Sequence, residues 1–185
     1  MPVISVQIAE LEAVRTQALF RPVRGDLEPL TPGGRRVGQR AGETIVERLE
    51  HMGDFPVGGA VVTPGGDLAA DFIIHLVVES REEPVTEIGV RNALTNGLRQ
   101  ACAWGVETVS VPPLGTGAGS LDVEGCARLI VPVLWEFVDS GESLREVIVV
   151  VGSEHEKRVF EDVLEAHDLL AVEDAAEVQG PEEGR

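Results

Sequence analysis

The stretch that decides the fold is Thr108-Val109-Ser110-Val111-Pro112-Pro113-Leu114-Gly115-Thr116-Gly117-Ala118-Gly119-Ser120-Leu121-Asp122. A β-rich run over Thr108–Val111 stops at the proline pair, and a glycine loop follows over Leu114–Ser120. Asp122 is then placed to cap a helix through Val138, broken or kinked near Pro132. Alternate glycines at Gly115, Gly117 and Gly119 allow positive φ and close approach of a ligand. Successive N–H groups in such a turn form a nest for an anion, and a helix N-terminus behind it adds partial positive charge. A tight strand-to-helix turn without a ligand would use the same residues. The Gly-Lys-Ser/Thr of a Walker loop is missing, and a loop this late in the chain does not suit the first βα unit of a Rossmann fold.

Outward from this loop, strands and helices alternate. Val3–Ile8 and Ala18–Val23 read as strands, with a loop over Arg24–Gly34 between the second strand and a helix at Glu43–His51. Gly58–Thr63 reads as a short strand ending at the Pro64-Gly65-Gly66 turn. Phe72–Val78 is an unbroken apolar run, as in a strand covered on both faces. Pro84–Val106 is the clearest helix, capped by Thr86 and ended by Gly105. Glu146–Val151 is a strand and Glu154–His167 a last helix. The pattern predicts a three-layer α/β/α sandwich with a central mixed sheet, one domain over residues 1–172 and an acidic, disordered tail over residues 173–185. Ligands of such sheets sit beyond the carboxyl ends of the strands.

The composition narrows the function. The formal charge is −17, a field that repels nucleic-acid backbones, so an anionic ligand needs local help from N–H groups or arginine. The chain holds one lysine, Lys157, against fourteen arginines, and only two asparagines, Asn92 and Asn96. This composition fits a GC-rich bacterial genome, and scarce asparagine fits a thermophile. Cys102 and Cys126 lie in helices and read as buried small hydrophobes, and no cluster has metal-ligand spacing. No apolar run is long enough for a membrane span, and Met1–Glu12 lacks the features of a signal peptide, so a cytoplasmic protein is expected.

The segment Val57–Val138 resembles the macro domain family. Gly58–Leu68 followed by Phe72-Ile73-Ile74-His75-Leu76-Val77 resembles the family's paired strands, and Val111–Gly117 its strand and second phosphate loop. The resemblance implies an ADP-ribose-like ligand whose phosphates and distal ribose are wrapped by Leu114, Gly115, Thr116, Gly117, Ala118 and Gly119, with no further cofactor. The N-terminal third departs from the pattern. Glu10 stands for the aspartate that accepts a hydrogen bond from the adenine amino group, and a surface charge at a strand end would look the same. Arg21 and Arg24 replace two asparagines, the second of which orients the distal ribose in hydrolytic members. The first glycine run is reduced to Gly33 and Gly34, followed by Arg35 and Arg36, and its aspartate and histidine are gone. The four arginines can meet phosphate or carboxylate ligands, or pair with the abundant acids of a solvated loop. His75 lies in an apolar strand and reads as structural, and Asp67 and Asp71 as turn residues.

Hydrolysis of an ADP-ribosyl bond needs a positioned water and groups that orient the ribose. With the asparagine and aspartate missing, binding of ADP-ribose or a related adenine nucleotide diphosphate is the first expectation. A hydrolase of ADP-ribosylated substrates, O-acetyl-ADP-ribose or ADP-ribose-1″-phosphate is the second. A fold kept for assembly, with a degraded pocket, is the third. The expected partner is a small nucleotide, without nucleic acid or membrane, and self-association stays open.

Overall fold

The computed structural model describes residues 3–117 and 121–178, with residues 169–178 as backbone alone. Its elements follow in chain order: β1 (Val3–Ile8), β2 (Ala18–Arg24), α1 (Pro32–Ala41), α2 (Glu43–Glu50), β3 (Ala60–Pro64), β4 (Phe72–Glu79), α3 (Glu87–Ala103), β5 (Thr108–Val111), α4 (Val123–Asp139), β6 (Glu146–Val151) and α5 (Glu154–Val178). The six strands form one sheet in the order β1-β6-β5-β2-β4-β3. All neighbours are parallel except β3, which runs antiparallel to β4 at the edge. The carboxyl ends of the five parallel strands therefore open on one rim, and β5 sits between β6 and β2 in its middle.

Alternation along the strands sends side chains to two cores. Phe20, Ile74, Leu76, Val109, Val111, Val147 and Val149 pack under α3, α4 and α5. On the other face Leu19, Val23, Ile73 and Val77 pack under Val37 and Ala41 of α1 and Ile45 and Leu49 of α2. This is the expected three-layer sandwich. Among the described residues no helix is long and apolar enough to cross a membrane.

The helices start where the caps say they should. The side chains of Thr31, Thr86 and Asp122 accept from the backbone N–H three residues on, at Gly34, Gly89 and Gly125. Three expectations change. The loop read over Arg24–Gly34 ends early, because α1 begins at Pro32. Thr31 as cap and Pro32 in the first turn favour that start, and burial of Val37 and Ala41 offsets the poor helix propensity of Gly33 and Gly34. The helix α4 continues through Pro132 without a break, with Ile130, Val131, Val133 and Leu134 all buried around it. Finally, α5 runs on to Val178, past the expected end at His167 and into the segment read as a tail from Glu173. Residues 179–185 of that segment lie outside the described residues.

Candidate functional site

The glycine loop leaves the carboxyl end of β5 and is pinned at its start. Leu114 is fully buried, and its N–H donates to Cys126 Sγ of α4 at 3.2 Å. That contact gives the buried cysteine a place in the loop's architecture, while burial pushes its thiol pKa up to about 12. Gly115 has φ +74°, and a Cβ there would lie 2.8 Å from Val85 Cγ1 and 3.2 Å from Leu121 Cδ1 and Val90 Cγ2. Both conformation and space demand glycine at this position. Gly117 faces the other way: a Cβ there would meet the Leu30 carbonyl oxygen and Thr31 Cγ2 at 3.7 Å. The loop thus lies against the N-terminal turn of α1. Ala118, Gly119 and Ser120 fall outside the described residues.

Two of the expected segments are therefore brought together. Thr31, Gly33 and Gly34 form the start of α1 rather than an open loop, and Gly117 abuts that start. Between them, Pro22, Leu30, Thr31, Glu79, Val85, Gly115 and Gly117 line a narrow cavity of about 30 Å³. A second, wider hollow of about 470 Å³ runs over the outer side of α1, lined by Leu30, Thr31, Pro32, Arg35, Arg36 and Gln39. Leu30 and Thr31 border both.

The four arginines separate. Arg21 is only 4 % exposed and lies beneath α1. Arg24, at the end of β2, is held by the Asp26 carboxylate through Nε (2.9 and 3.0 Å) and Nη2 (2.7 Å). This pairing raises the Arg24 pKa and lowers that of Asp26. Arg24 opens on a different hollow of about 380 Å³, shared with Asp54, Phe55, Ser80, Arg81 and Glu82. Arg36 bridges two acids: its Nε donates to Glu12 Oε1 at 2.8 Å and its Nη2 to Glu10 Oε2. Its pKa is raised, chiefly by the Glu12 hydrogen bond. Glu10 is thus ion-paired. The Glu12 side chain is only 7 % exposed and its Oε2 has no partner among the described residues. Arg35 is exposed and forms no ion pair among the described residues.

His75 is fully buried in β4 between Arg21 and Thr63. Arginine cannot accept a hydrogen bond, so the Arg21 Nη1 contact at 3.4 Å makes His75 Nδ1 the acceptor, and Nε2–H then donates to Thr63 Oγ1 at 2.9 Å. Burial first, and the Arg21 charge second, push the His75 pKa down to about 3. The ring is neutral and structural. Asp67 belongs to the Gly65–Leu68 turn, where its N–H donates to the Ala41 carbonyl at the end of α1.

Sequence reasoning missed two groups at the rim. Thr31-Pro32 is a helix-start signature that the neighbouring glycines and prolines obscured. Glu79 ends the apolar run of β4, and a charge closing such a run marks the point where the strand reaches solvent.

Helix N-termini and the carboxyl ends of parallel strands are where α/β sheets of this kind commonly meet anionic ligands. This chain belongs to the macro domain family, whose model matches residues 34–130. An uncharacterized protein of Aeropyrum pernix is 36 % identical over 132 residues, covering 68 % of this chain and 67 % of that one. A macro domain-containing protein of Caldanaerobacter subterraneus subsp. tengcongensis is 30 % identical, covering 71 % and 78 %. The O-acetyl-ADP-ribose deacetylase of Shigella flexneri is 27 % identical, covering 70 % and 75 %. Among solved structures, the Oceanobacillus iheyensis macrodomain with MES bound superposes with a TM-score of 0.78 at 19 % identity, over 87 % of this chain and 89 % of that one. The Trypanosoma brucei macrodomain in complex with ADP-ribose does so with a TM-score of 0.77 at 16 % identity, over 86 % and 68 %.

Proposed function

We propose that this chain binds ADP-ribose or a related adenine nucleotide diphosphate, with the diphosphate across the mouth of the cleft where the N-terminal turn of α1 meets the Gly115–Gly117 loop, the cleft itself having room only for water. The observation that carries this reading is the apposition of Gly117 to Leu30 and Thr31, which sets the start of a capped helix against a glycine loop. Backbone N–H groups and the helix dipole favour a dianion there without a paired cation. The solved Trypanosoma brucei relative was crystallised with ADP-ribose, and an Oceanobacillus iheyensis one with ADP. Calorimetry with ADP-ribose and ADP tests the reading: micromolar binding is expected, and no heat with either ligand would refute it.

One observation favours a second reading, a hydrolase. Glu79 lines the cavity that holds Gly115 and Gly117, and about 30 Å³ is room for one or two waters. A carboxylate beside a confined water is the arrangement of a general base. The name of the Shigella flexneri relative supplies a substrate to try. Under this reading the chain releases acetate from O-acetyl-ADP-ribose, and Glu79→Gln lowers the turnover at least about a hundredfold while ADP-ribose affinity stays within threefold. Turnover that survives Glu79→Gln would remove the general base from this position.

A further inference from the structure

We propose that Arg21 is a positioning residue for the phosphate site, holding the first turn of α1 at the groove through the Gly34 carbonyl. The inference rests on the ligand reading above. Arg21 stands on β2 directly opposite His75 in the parallel β2–β4 pair, and its side chain points to the face covered by α1. Its Nε donates to the Gly34 carbonyl oxygen at 2.8 Å, and its Nη1 contacts His75 Nδ1. His75 in turn donates to Thr63 on β3. The first turn of α1 is thereby tied through one guanidinium to three adjacent strands.

The helix is shaped to receive this side chain. Gly34 and Gly38 are one turn apart and share a face. A Cβ on Gly34 would lie 3.7 Å from Arg21 Cγ, and one on Gly38 would lie 3.0 Å from Arg21 Nη2. The two glycines let the helix rest on the whole length of the arginine. Gly34 is also the residue whose N–H is received by Thr31 Oγ1, so the Arg21 bond and the cap act on the same peptide segment. Thr31 is what Gly117 touches. The chain of contacts runs from the strand through Arg21 and Gly34 to Thr31 and so to the glycine loop.

The surroundings argue against a purely stabilising role. Arg21 is buried, yet no carboxylate lies within ion-pairing distance among the described residues, on a chain with 32 acidic residues. Burial lowers its pKa to about 10, which leaves it charged at neutral pH. Glu28 attracts the guanidinium only from beyond ion-pairing distance, so the buried cation is costly to keep for stability alone. Its cost is balanced here by what it holds in place and by the positive charge it brings beneath an anion site.

The test compares wild type, Arg21→Met and Arg21→Lys. Each is titrated with ADP-ribose at 25 °C and melted separately without ligand. Arg21→Met fills the volume but gives no bond to Gly34, and is expected to weaken ADP-ribose about tenfold or more while remaining folded at 25 °C. Arg21→Lys keeps the charge and one donor, and is expected to recover part of that loss; it carries the test should the methionine variant fail to fold. Folded variants that bind ADP-ribose as wild type does, whatever their melting temperatures, would overturn the positioning role alone. A wild-type protein that binds no ADP-ribose would remove the ligand reading, and this inference with it.

Discussion

Gly117→Val separates the ligand site from the fold. A Cβ at this position meets Leu30 O and Thr31 Cγ2 at 3.7 Å, ordinary van der Waals contact, and the φ of Gly117 lies outside the left-handed region. The folded state should lose less than about 1 kcal/mol. The two γ-methyls reach ~1.5 Å further and fit only by turning to the mouth of the cleft, where the diphosphate is proposed to lie. If they block one backbone N–H bond to phosphate, worth about 1.5–3 kcal/mol, the affinity falls by that amount. At 1.4 kcal/mol per decade, this is about tenfold to a little over a hundredfold in Kd. Calorimetry with ADP-ribose reads the affinity, and urea denaturation of the same preparations reads the fold. A valine variant of wild-type stability that binds ADP-ribose within threefold of wild type would refute the placement of phosphates on this loop.

Gly115→Ala should behave in the opposite way. Left-handed φ costs alanine about 1–2 kcal/mol, and a Cβ 2.8 Å from Val85 Cγ1 adds about 1–3 more, so urea denaturation should show a loss of about 2–5 kcal/mol. The buried neutral His75 makes the fold sensitive to acid. Its pKa of about 3 is below the unfolded value of 6.5, so between these pH values the unfolded chain binds the extra proton. The stability that His75 contributes is intact above pH 6.5 and declines toward pH 3, with a limiting slope of about 1.4 kcal/mol per pH unit. His75→Gln should flatten the acid limb of a denaturation series, and an unchanged limb would contradict the neutral, buried ring. Arg35→Ala removes an exposed cation beside the groove, and should weaken ADP-ribose by no more than about fivefold, the scale of a solvent-screened charge. A larger loss in calorimetry would mean that Arg35 meets the phosphate directly.

The sandwich was legible because its signals are local and agree with one another. The apolar runs at Phe72–Val78 and Glu146–Val151, the Thr86 and Asp122 caps, and the proline stop after Val111 each act within a few residues, and the strands and helices form where these signals place them. The start of α1 was harder to read, because Thr31-Pro32 speaks for a helix while Gly33, Gly34 and Gly38 speak against one. Tertiary burial of Val37 and Ala41 and the Arg21 side chain under the two inward-facing glycines decide that contest, and none of these is visible in a window of ten residues.

The arginines show why the site was less legible than the fold. Arg21, Arg24, Arg35 and Arg36 lie close in sequence and suggest one cationic patch. Strand alternation buries Arg21 beneath α1 and sends Arg24 to another hollow, Arg35 and Arg36 border the hollow outside α1, and nearby acids engage two of the four. With Arg24 and Arg36 neutralised, the pull on an anion must come mainly from the N-terminal turn of α1 and the loop amides, with Arg21 beneath them and Arg35 at the margin. Such groups are fixed by the fold and need no flexible side chain to be ordered on binding, so they would hold the proposed diphosphate at low entropic cost. That is how a protein of charge −17 can offer a site to a dianion. The same reasoning explains why the substitutions expected to cost most affinity, Gly117→Val and Arg21→Met, alter the groove's shape or its support rather than an exposed charge.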